Sequence, residues 1–112
     1  MSPFVPDRGD LIWLTFDPQA GREQAGHRPA LVLSPKSYNQ KSGLAILCPI
    51  TSQVKGYPFE VLLPAGSAVR GAILADHVKS LGWKVRQAKK AGKVTREVLE
   101  EVMARLSPLI SS

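Results

Sequence analysis

The chain has 112 residues, a formal net charge of +6 and a sequence pI of about 9.8. Its length fits a single domain spanning residues 1–112, and its only cysteine, Cys48, excludes an intrachain disulfide. No Cys/His cluster has metal-site spacing, no apolar run approaches membrane-spanning length, and no signal peptide is evident. We therefore expect a cytoplasmic protein without a metal or other cofactor. The basic balance favours a polyanionic partner: a nucleic acid, an anionic membrane surface or an acidic protein.

Three strands and one helical turn are predicted in the first half of the chain. The strands are apolar, aromatic or β-branched runs bounded by Pro and Gly, at residues 11–16, 29–34 and 44–50. Residues 35–42 are polar and long enough for one helical turn, which Gly43 closes. Cys48 lies inside the third run and is predicted to be a small buried hydrophobe.

The second half predicts more strands and then a helix. The strands are residues 57–63, at a sheet edge because of Pro58, residues 72–81, and a short one at 83–88. Thr95 is a suitable N-cap, and an apolar face follows at helical spacing: Val98, Leu99, Val102, Met103, Leu106, Leu109 and Ile110. Pro108 should loosen the last turn. Five or six short strands and one helix predict a mainly β protein, a small curved β-barrel with a C-terminal helix against it.

A polar loop leads into the second predicted strand. Within six residues it holds Glu23, Gln24, His27 and Arg28, with Gly26 for backbone freedom. A loop that gathers these groups at the mouth of a buried strand is a candidate site, because the strand fixes what the loop presents. The alternative is a plain hairpin loop in which Arg28 pairs with Glu23.

Positive charge is concentrated in one segment without acidic residues. Its basic residues are Lys79, Lys84, Arg86, Lys89, Lys90 and Lys93. Around Trp83 such a segment can offer charge to phosphates and an aromatic face to a base, so Lys79, Trp83 and Arg86 are candidates for binding single-stranded nucleic acid. Residues 89–93 are interpreted as a solvated turn, and Trp13 and Phe16 as core residues.

Several motifs, in order along nearly the whole chain, resemble the MazF/PemK toxins. They are residues 6–13, 16–18, 23–34, 49–52 and 55–61. The resemblance implies a small SH3-like barrel of the CcdB/PemK type and a homodimer. It also implies a type II toxin that cuts single-stranded mRNA at a short sequence without metal or contact with a membrane. The partner would be an antitoxin whose acidic C-terminal tail lies across the RNA groove.

The resemblance assigns catalysis to Arg28 and Thr51, and the chemistry of these residues suits that role. RNA can be cut by its own 2′-hydroxyl, which leaves a 2′,3′-cyclic phosphate and a 5′-hydroxyl. An arginine fork matches two phosphate oxygens, and a threonine hydroxyl can donate one more hydrogen bond. Arginine is a poor base. Glu23 or His27 could serve as the base instead, and the resemblance ranks Glu23 first because it matches a functionally implicated family position. The alternative role for Glu23 is only to orient Arg28.

Two further positions are candidates for contact with RNA. His77 stands where the family often has Gln, and it could read a base edge, stack on a base or titrate near neutrality. Because His77 departs from the family pattern, it bears more on which RNA sequence is recognised than on cleavage. The alternative interpretation is that His77 is only a structural or surface residue. Asp17 could line the groove or only cap a turn.

Two other functions stay open at this point. A CcdB-like toxin of the same barrel would act by binding a protein target such as DNA gyrase, with its determinants in the C-terminal helix. A nonenzymatic binder would hold single-stranded RNA intact. Only the ribonuclease needs Glu23, Arg28 and Thr51 together.

Overall fold

A computed structural model describes residues 4–15 and 27–111. Its elements are β1 Asp10–Thr15, β2 His27–Val32, α1 Lys36–Ser42, β3 Leu44–Thr51, β4 Glu60–Leu62, β5 Ala72–Leu74, β6 Lys79–Gly82, β7 Lys89–Lys93 and α2 Arg96–Ile110. The architecture is an antiparallel sheet with a C-terminal helix, as the sequence predicted. Among the described residues, no helix is both long and apolar enough to cross a bilayer.

Six strands pair in the order β4-β5-β3-β2-β1-β7, and β6 pairs with β3 beside β5. β4 lies at the end of this order, so the predicted edge strand is confirmed. The β4–β5 loop, residues 63–71, carries Val69 into the core at 4% exposure. Its Ala68 packs on β7, where a Cβ added at Gly92 would lie 2.7 Å from the Ala68 side chain. Packing of this loop therefore brings the two ends of the strand order together in a barrel-like fold.

The core has two parts on opposite faces of the central strands. One part contains Leu31, Cys48 and Ile73 and receives three residues of α2: Val98, Val102 and Leu106. The other contains Ile12, Val32, Leu47 and Trp83. Thr95 caps α2 by accepting the Val98 N–H at 3.3 Å, as predicted. The predicted apolar face is wider than the buried one, because Met103, Leu109 and Ile110 are exposed, and the helix runs through Pro108 to Ile110.

The predicted strand at residues 72–81 is wrong, since the structure has two strands there. Ile73 lies opposite Ile50, and Lys79 lies opposite Leu47. Between these two pairs the chain advances six residues, from Ile73 to Lys79, whereas β3 advances only three, from Leu47 to Ile50. The three extra residues leave the sheet and form a turn between β5 and β6. Alternating sequence alone cannot reveal such a bulge.

The predictions for residues 83–88 and 89–93 are also wrong, because turn and strand are exchanged. Residues 83–87 form a turn, whereas β7 is the lysine-rich run that pairs with β1. The buried carboxylate of Asp10 explains this strand, since its Oδ1 lies 3.1 Å from Lys93 Nζ and 3.7 Å from Lys90 Nζ. The side chains of Lys90 and Lys93 therefore pair with a carboxylate of β1 and are not only solvated.

The short helix α1 takes its N-terminal hydrogen bond from outside the helix. Its N-cap residue, Pro35, has no side-chain acceptor to offer. Instead, Asp7 Oδ1 accepts the N–H of Lys36 at 2.9 Å. This N–H holds the pKa of Asp7 below its usual value. Gly43 ends the helix in the left-handed region at φ 74°, as predicted.

Candidate active site

A groove of about 760 Å³ opens where β2 begins, β3 ends and the β4–β5 loop leads into β5. Its lining comes from six parts of the chain. The residues are Trp13, Arg28, Pro29, Pro49, Ile50, Thr51, Ser52, Gln53, Ala68, Val69, Arg70, Leu74 and Lys79. None of these thirteen is acidic, so the described part of the groove favours an anionic ligand.

Arg28 and Thr51 reach the groove from adjacent strands. β2 and β3 are antiparallel, with Ala30 opposite Pro49 and Leu31 opposite Cys48. The same register, continued by two residues, places Arg28 opposite Thr51. Side chains opposite each other on neighbouring strands are close enough to act on one group. The structure therefore places Arg28 and Thr51, which the sequence has in separate segments, in the lining of one groove.

The backbone of Thr51 is held by a close approach from the β4–β5 loop. Gly71 has φ 125°, and a Cβ added there would lie 2.0 Å from the carbonyl oxygen of Thr51. Only glycine fits this contact. Thr51 Oγ1 accepts the N–H of Gln53 at 3.1 Å. A hydroxyl that accepts one hydrogen bond still has its own proton to donate, so Thr51 can donate to a ligand in the groove.

Residues 7–110 match a family model, that of the PemK-like, MazF-like toxins of type II toxin–antitoxin systems. The chain belongs to this family. It is 54% identical over 110 residues to the endoribonuclease toxin MazF of Escherichia coli strain K12, with 98% of each chain covered. It is 36% identical over 110 residues to the endoribonuclease toxin ChpB of the same organism, with 93% of each covered.

Solved structures of the MazF family have the same fold. MazF from Deinococcus radiodurans superposes with a TM-score of 0.87 at 54% identity, covering 96% of this chain and 98% of that one. A MazE–MazF structure from the same organism gives 0.89 at 52% identity, covering 96% and 97%. The family and the barrel-type fold predicted from the sequence are both confirmed.

The aromatic side chain in the groove of this MazF-family chain is Trp13, not Trp83. Trp83 is 7% exposed, and its Nε1 donates to the carbonyl oxygen of Asn39 at 2.9 Å in α1. The prediction that Trp83 offers a face to a base is therefore wrong. Trp13 was predicted to be core, but it is 37% exposed and lines the groove beside Pro29, its partner across β1 and β2.

The predicted basic contacts separate in the fold. Lys79 lines the groove. Arg86 does not: its Nη1 donates to the carbonyl oxygen of Thr15 at 3.0 Å, and Thr15 donates its N–H to the carbonyl oxygen of Arg86 at 3.1 Å. Arg86 thus fastens a turn to the end of β1. A contact between Arg86 and RNA stays a prediction.

The two histidines lie outside the groove lining. His27 is exposed at the start of β2, next to Arg28. His77 is exposed in the turn between β5 and β6, with its Nε2 3.8 Å from Asp76 Oδ1. Glu23 and Asp17, the predicted base and groove residue, lie outside the described residues.

Sequence reasoning missed Arg70. It is exposed on the β4–β5 loop, which the sequence showed only as a turn region, and it lines the groove with Arg28 and Lys79. The neighbouring Gly71 was a weak signal, because a glycine can mark a close backbone approach. Nothing local indicated that this approach was to Thr51.

The described residues offer neither a metal site nor a reactive thiol. In residues 4–15 and 27–111, no group of three or more His, Cys, Asp or Glu side chains is placed to hold a metal ion. Cys48 is buried as predicted, and burial raises the pKa of its thiol to about 12. Cys48 is therefore a packing residue and not a nucleophile.

Proposed function

We propose that this protein is the toxin of a type II toxin–antitoxin system and an endoribonuclease that cuts single-stranded RNA at a short sequence. The observation that carries the proposal is the meeting of Arg28 and Thr51 in one cationic groove. The curated relatives at 54% and 36% identity are named as endoribonucleases, which supports the same activity.

The reaction we propose uses the RNA's own 2′-hydroxyl. Its oxygen attacks the adjacent phosphorus, the bond to the 5′-oxygen breaks, and the products are a 2′,3′-cyclic phosphate and a 5′-hydroxyl. Negative charge builds on the two non-bridging oxygens, where the fork of Arg28 can bind both. Thr51 would donate one more hydrogen bond, and a preorganised donor of this kind is worth ~3 kcal/mol of barrier.

Two proton transfers accompany the attack and the departure of the leaving oxygen. We assign the base to Glu23, which stands five residues before Arg28 in the sequence. His27 is the alternative, because it is exposed and adjacent to Arg28 on β2. Asp17 and His77 remain candidates for reading bases. No metal ion takes part in the proposed reaction.

Binding of the strand would use groove residues outside the reacting centre. Lys79 can contact a phosphate, and the partly exposed indole of Trp13 can stack on a base. Base stacking and phosphate contacts are how single strands are held without a duplex.

The partners follow from the family. Structures of MazF from Deinococcus radiodurans include MazE–MazF forms. We propose that this chain likewise binds a cognate antitoxin, whose acidic tail would compete with RNA for the cationic groove. We also propose that it acts as a homodimer in the cytoplasm, where mRNA is translated.

The decisive experiment incubates the purified protein with mixed-sequence RNA in EDTA and maps the new ends. We expect cuts at one short sequence, with 5′-hydroxyl and cyclic phosphate ends. Arg28→Ala should abolish cutting while leaving the fold intact by circular dichroism, because it removes the charge and the fork together. Lys36→Ala, an exposed cation outside the groove, is the control and should cut normally.

The possible results separate the functions. Intact RNA that the protein retards on a gel would support a nonenzymatic binder. Intact, unbound RNA would point to a protein target. Near-normal cutting by Arg28→Ala would refute the assignment of Arg28.

A further inference from the structure

We propose that Arg70 forms a second phosphate-binding subsite of the groove, one that holds the RNA strand beside the scissile phosphodiester. The inference rests on the proposed function, since it takes single-stranded RNA as the ligand. It adds a residue of the β4–β5 loop to the proposed RNA contacts, which otherwise come from β1, β2, β3 and β6 through Trp13, Arg28, Thr51 and Lys79.

The backbone on both sides of Arg70 is fixed. Val69 is inserted in the core at 4% exposure. Gly71 lies against the carbonyl oxygen of Thr51, and its own carbonyl oxygen accepts the N–H of Leu63 at 3.0 Å. Ala68 packs on Gly92 of β7. Because the backbone is held at these points, the Cα of Arg70 has a fixed position. Less conformational entropy is therefore lost when the exposed Arg70 side chain binds a ligand.

The connection to the reacting centre is direct. Arg70 is bonded to the glycine that contacts Thr51, so its side chain starts within the same corner of the groove as the Thr51 hydroxyl. Arg28 enters from β2, on the other side of β3 from β5. A strand lying over Thr51 therefore passes between cations from two different walls.

The guanidinium of Arg70 is available for an anion. Among the residues that the structure describes, no carboxylate lies within ion-pair distance of it. Lys90 and Lys93 are held by Asp10, and Arg105 by Glu101. A groove cation without an acidic neighbour gains most from a phosphate, since no existing pair has to be broken.

The test measures binding to a probe that cannot be cut. A fully 2′-O-methylated, mixed-sequence oligonucleotide of about ten nucleotides fits the usual footprint of single-strand binders. Its affinity is measured across a salt series for the wild type, Arg70→Ala and Arg70→Lys. Losing one phosphate contact should lower the slope of log affinity against log salt by about 0.7. Arg70→Lys should keep most of the slope, because it keeps the charge.

Arg96→Ala is the matched control, because Arg96 is an exposed arginine outside the groove, at the start of α2. Its slope should match that of the wild type. In cleavage assays Arg70→Ala should raise KM more than it lowers kcat.

Three results would overturn the inference. Equal slopes for Arg70→Ala and Arg96→Ala would remove the subsite while leaving the proposed function intact. Weakened binding of a poly-glutamate peptide, with oligonucleotide binding unchanged, would assign Arg70 to an acidic protein partner instead. A wild type that neither binds nor cuts RNA would overturn the proposed function and the subsite together.

Discussion

In the proposed reaction, Thr51 has a narrower task than Arg28, and variants of Thr51 test this. Thr51→Ala removes a single donor, so we expect kcat to fall by about 10² to 10³. Thr51→Ser keeps the hydroxyl and should retain most of the activity. The measurement is single-turnover cleavage of one RNA at saturating protein.

Thr51→Val controls for shape in this series, because it replaces the hydroxyl by a methyl group. It should behave like Thr51→Ala. Equal rates for Thr51→Val and the wild type would mean that the hydroxyl does not act in the reaction.

At the residue scale, sequence reasoning selected Arg28 and Thr51, which line one groove, but misplaced the aromatics. Arg28 was recognisable because it precedes a buried strand and matches a family motif. Trp83 is buried through a hydrogen bond to Asn39, 44 residues away in the chain. Lys93 likewise binds Asp10 across 83 residues. Local composition contains no information about such partners, so Trp13 and Trp83 were assigned each other's roles.

Among the elements, the β4–β5 loop acts on the site through its backbone. Gly71→Ala would place a Cβ against the carbonyl oxygen of Thr51 and add strain at φ 125°. We expect it to displace Thr51 and to lower both kcat and the melting temperature. Both are measured on the same preparation, by RNA cleavage and by calorimetry.

Gly66→Ala is the control for this substitution. Gly66 also has positive φ, at 90°, but nothing lies within 4 Å of an added Cβ. It should lose only about 1 kcal/mol from backbone strain and keep its activity. Equal activity in the two variants would show that the Gly71 contact does not position Thr51.

The helix α1 depends on a carboxylate that is distant in sequence. Asp7→Ala removes the acceptor for the Lys36 N–H, and losing a cap costs about 1 kcal/mol. The folded-state pKa of Asp7 is lowered, so its stabilisation is full above the unfolded-state pKa and is lost as pH falls through the folded-state pKa. The gap in unfolding free energy between wild type and Asp7→Ala should therefore be large at neutral pH and shrink in acid.

Denaturant titrations at a series of pH values, from neutral down into the acid range, would follow this gap as the carboxylate becomes protonated. Asp76→Ala, at an exposed turn, is the matched control and should show a smaller gap at neutral pH. A gap for Asp7→Ala that is unchanged in acid would contradict the role of the carboxylate as a cap.

Element prediction succeeded where local signals were enough. The first three strands, α1 and α2 have clear periodicity and end signals, such as Gly43 and Thr95. It failed between residues 72 and 93, because the split of β5 from β6 is set by the register on β3 and β7 is set by its partner β1. Strand partners are chosen by the fold and not by the segment itself.

At the scale of the whole molecule, an apolar surface is exposed among the described residues. It joins α1, β3 and α2 through Tyr38, Ile46, Met103 and Ile110, around a groove of about 470 Å³. Exposed apolar patches of this kind mark protein contacts. We expect it to lie in the proposed homodimer, because a self-contact can bury an apolar surface on both copies at once.

Met103→Glu should therefore convert the dimer to a monomer, because it would bury a charge in that contact. Sedimentation equilibrium measures the mass directly. Leu62→Glu is the control, since Leu62 is 62% exposed on the edge strand β4 and does not line this groove. A dimer that persists in Met103→Glu but not in Leu62→Glu would move the contact to β4.

The fixed backbone around Arg70 also bears on how the toxin could diverge. Positions 69 and 71 tolerate little, because one fills the core and the other touches Thr51. Position 70 points into the groove without supporting the barrel, so it can be exchanged at small expense to folding or to the cleavage chemistry. A lineage could then drift in the RNA sequences that it prefers by changing one side chain, while the machinery that cuts them is inherited unaltered.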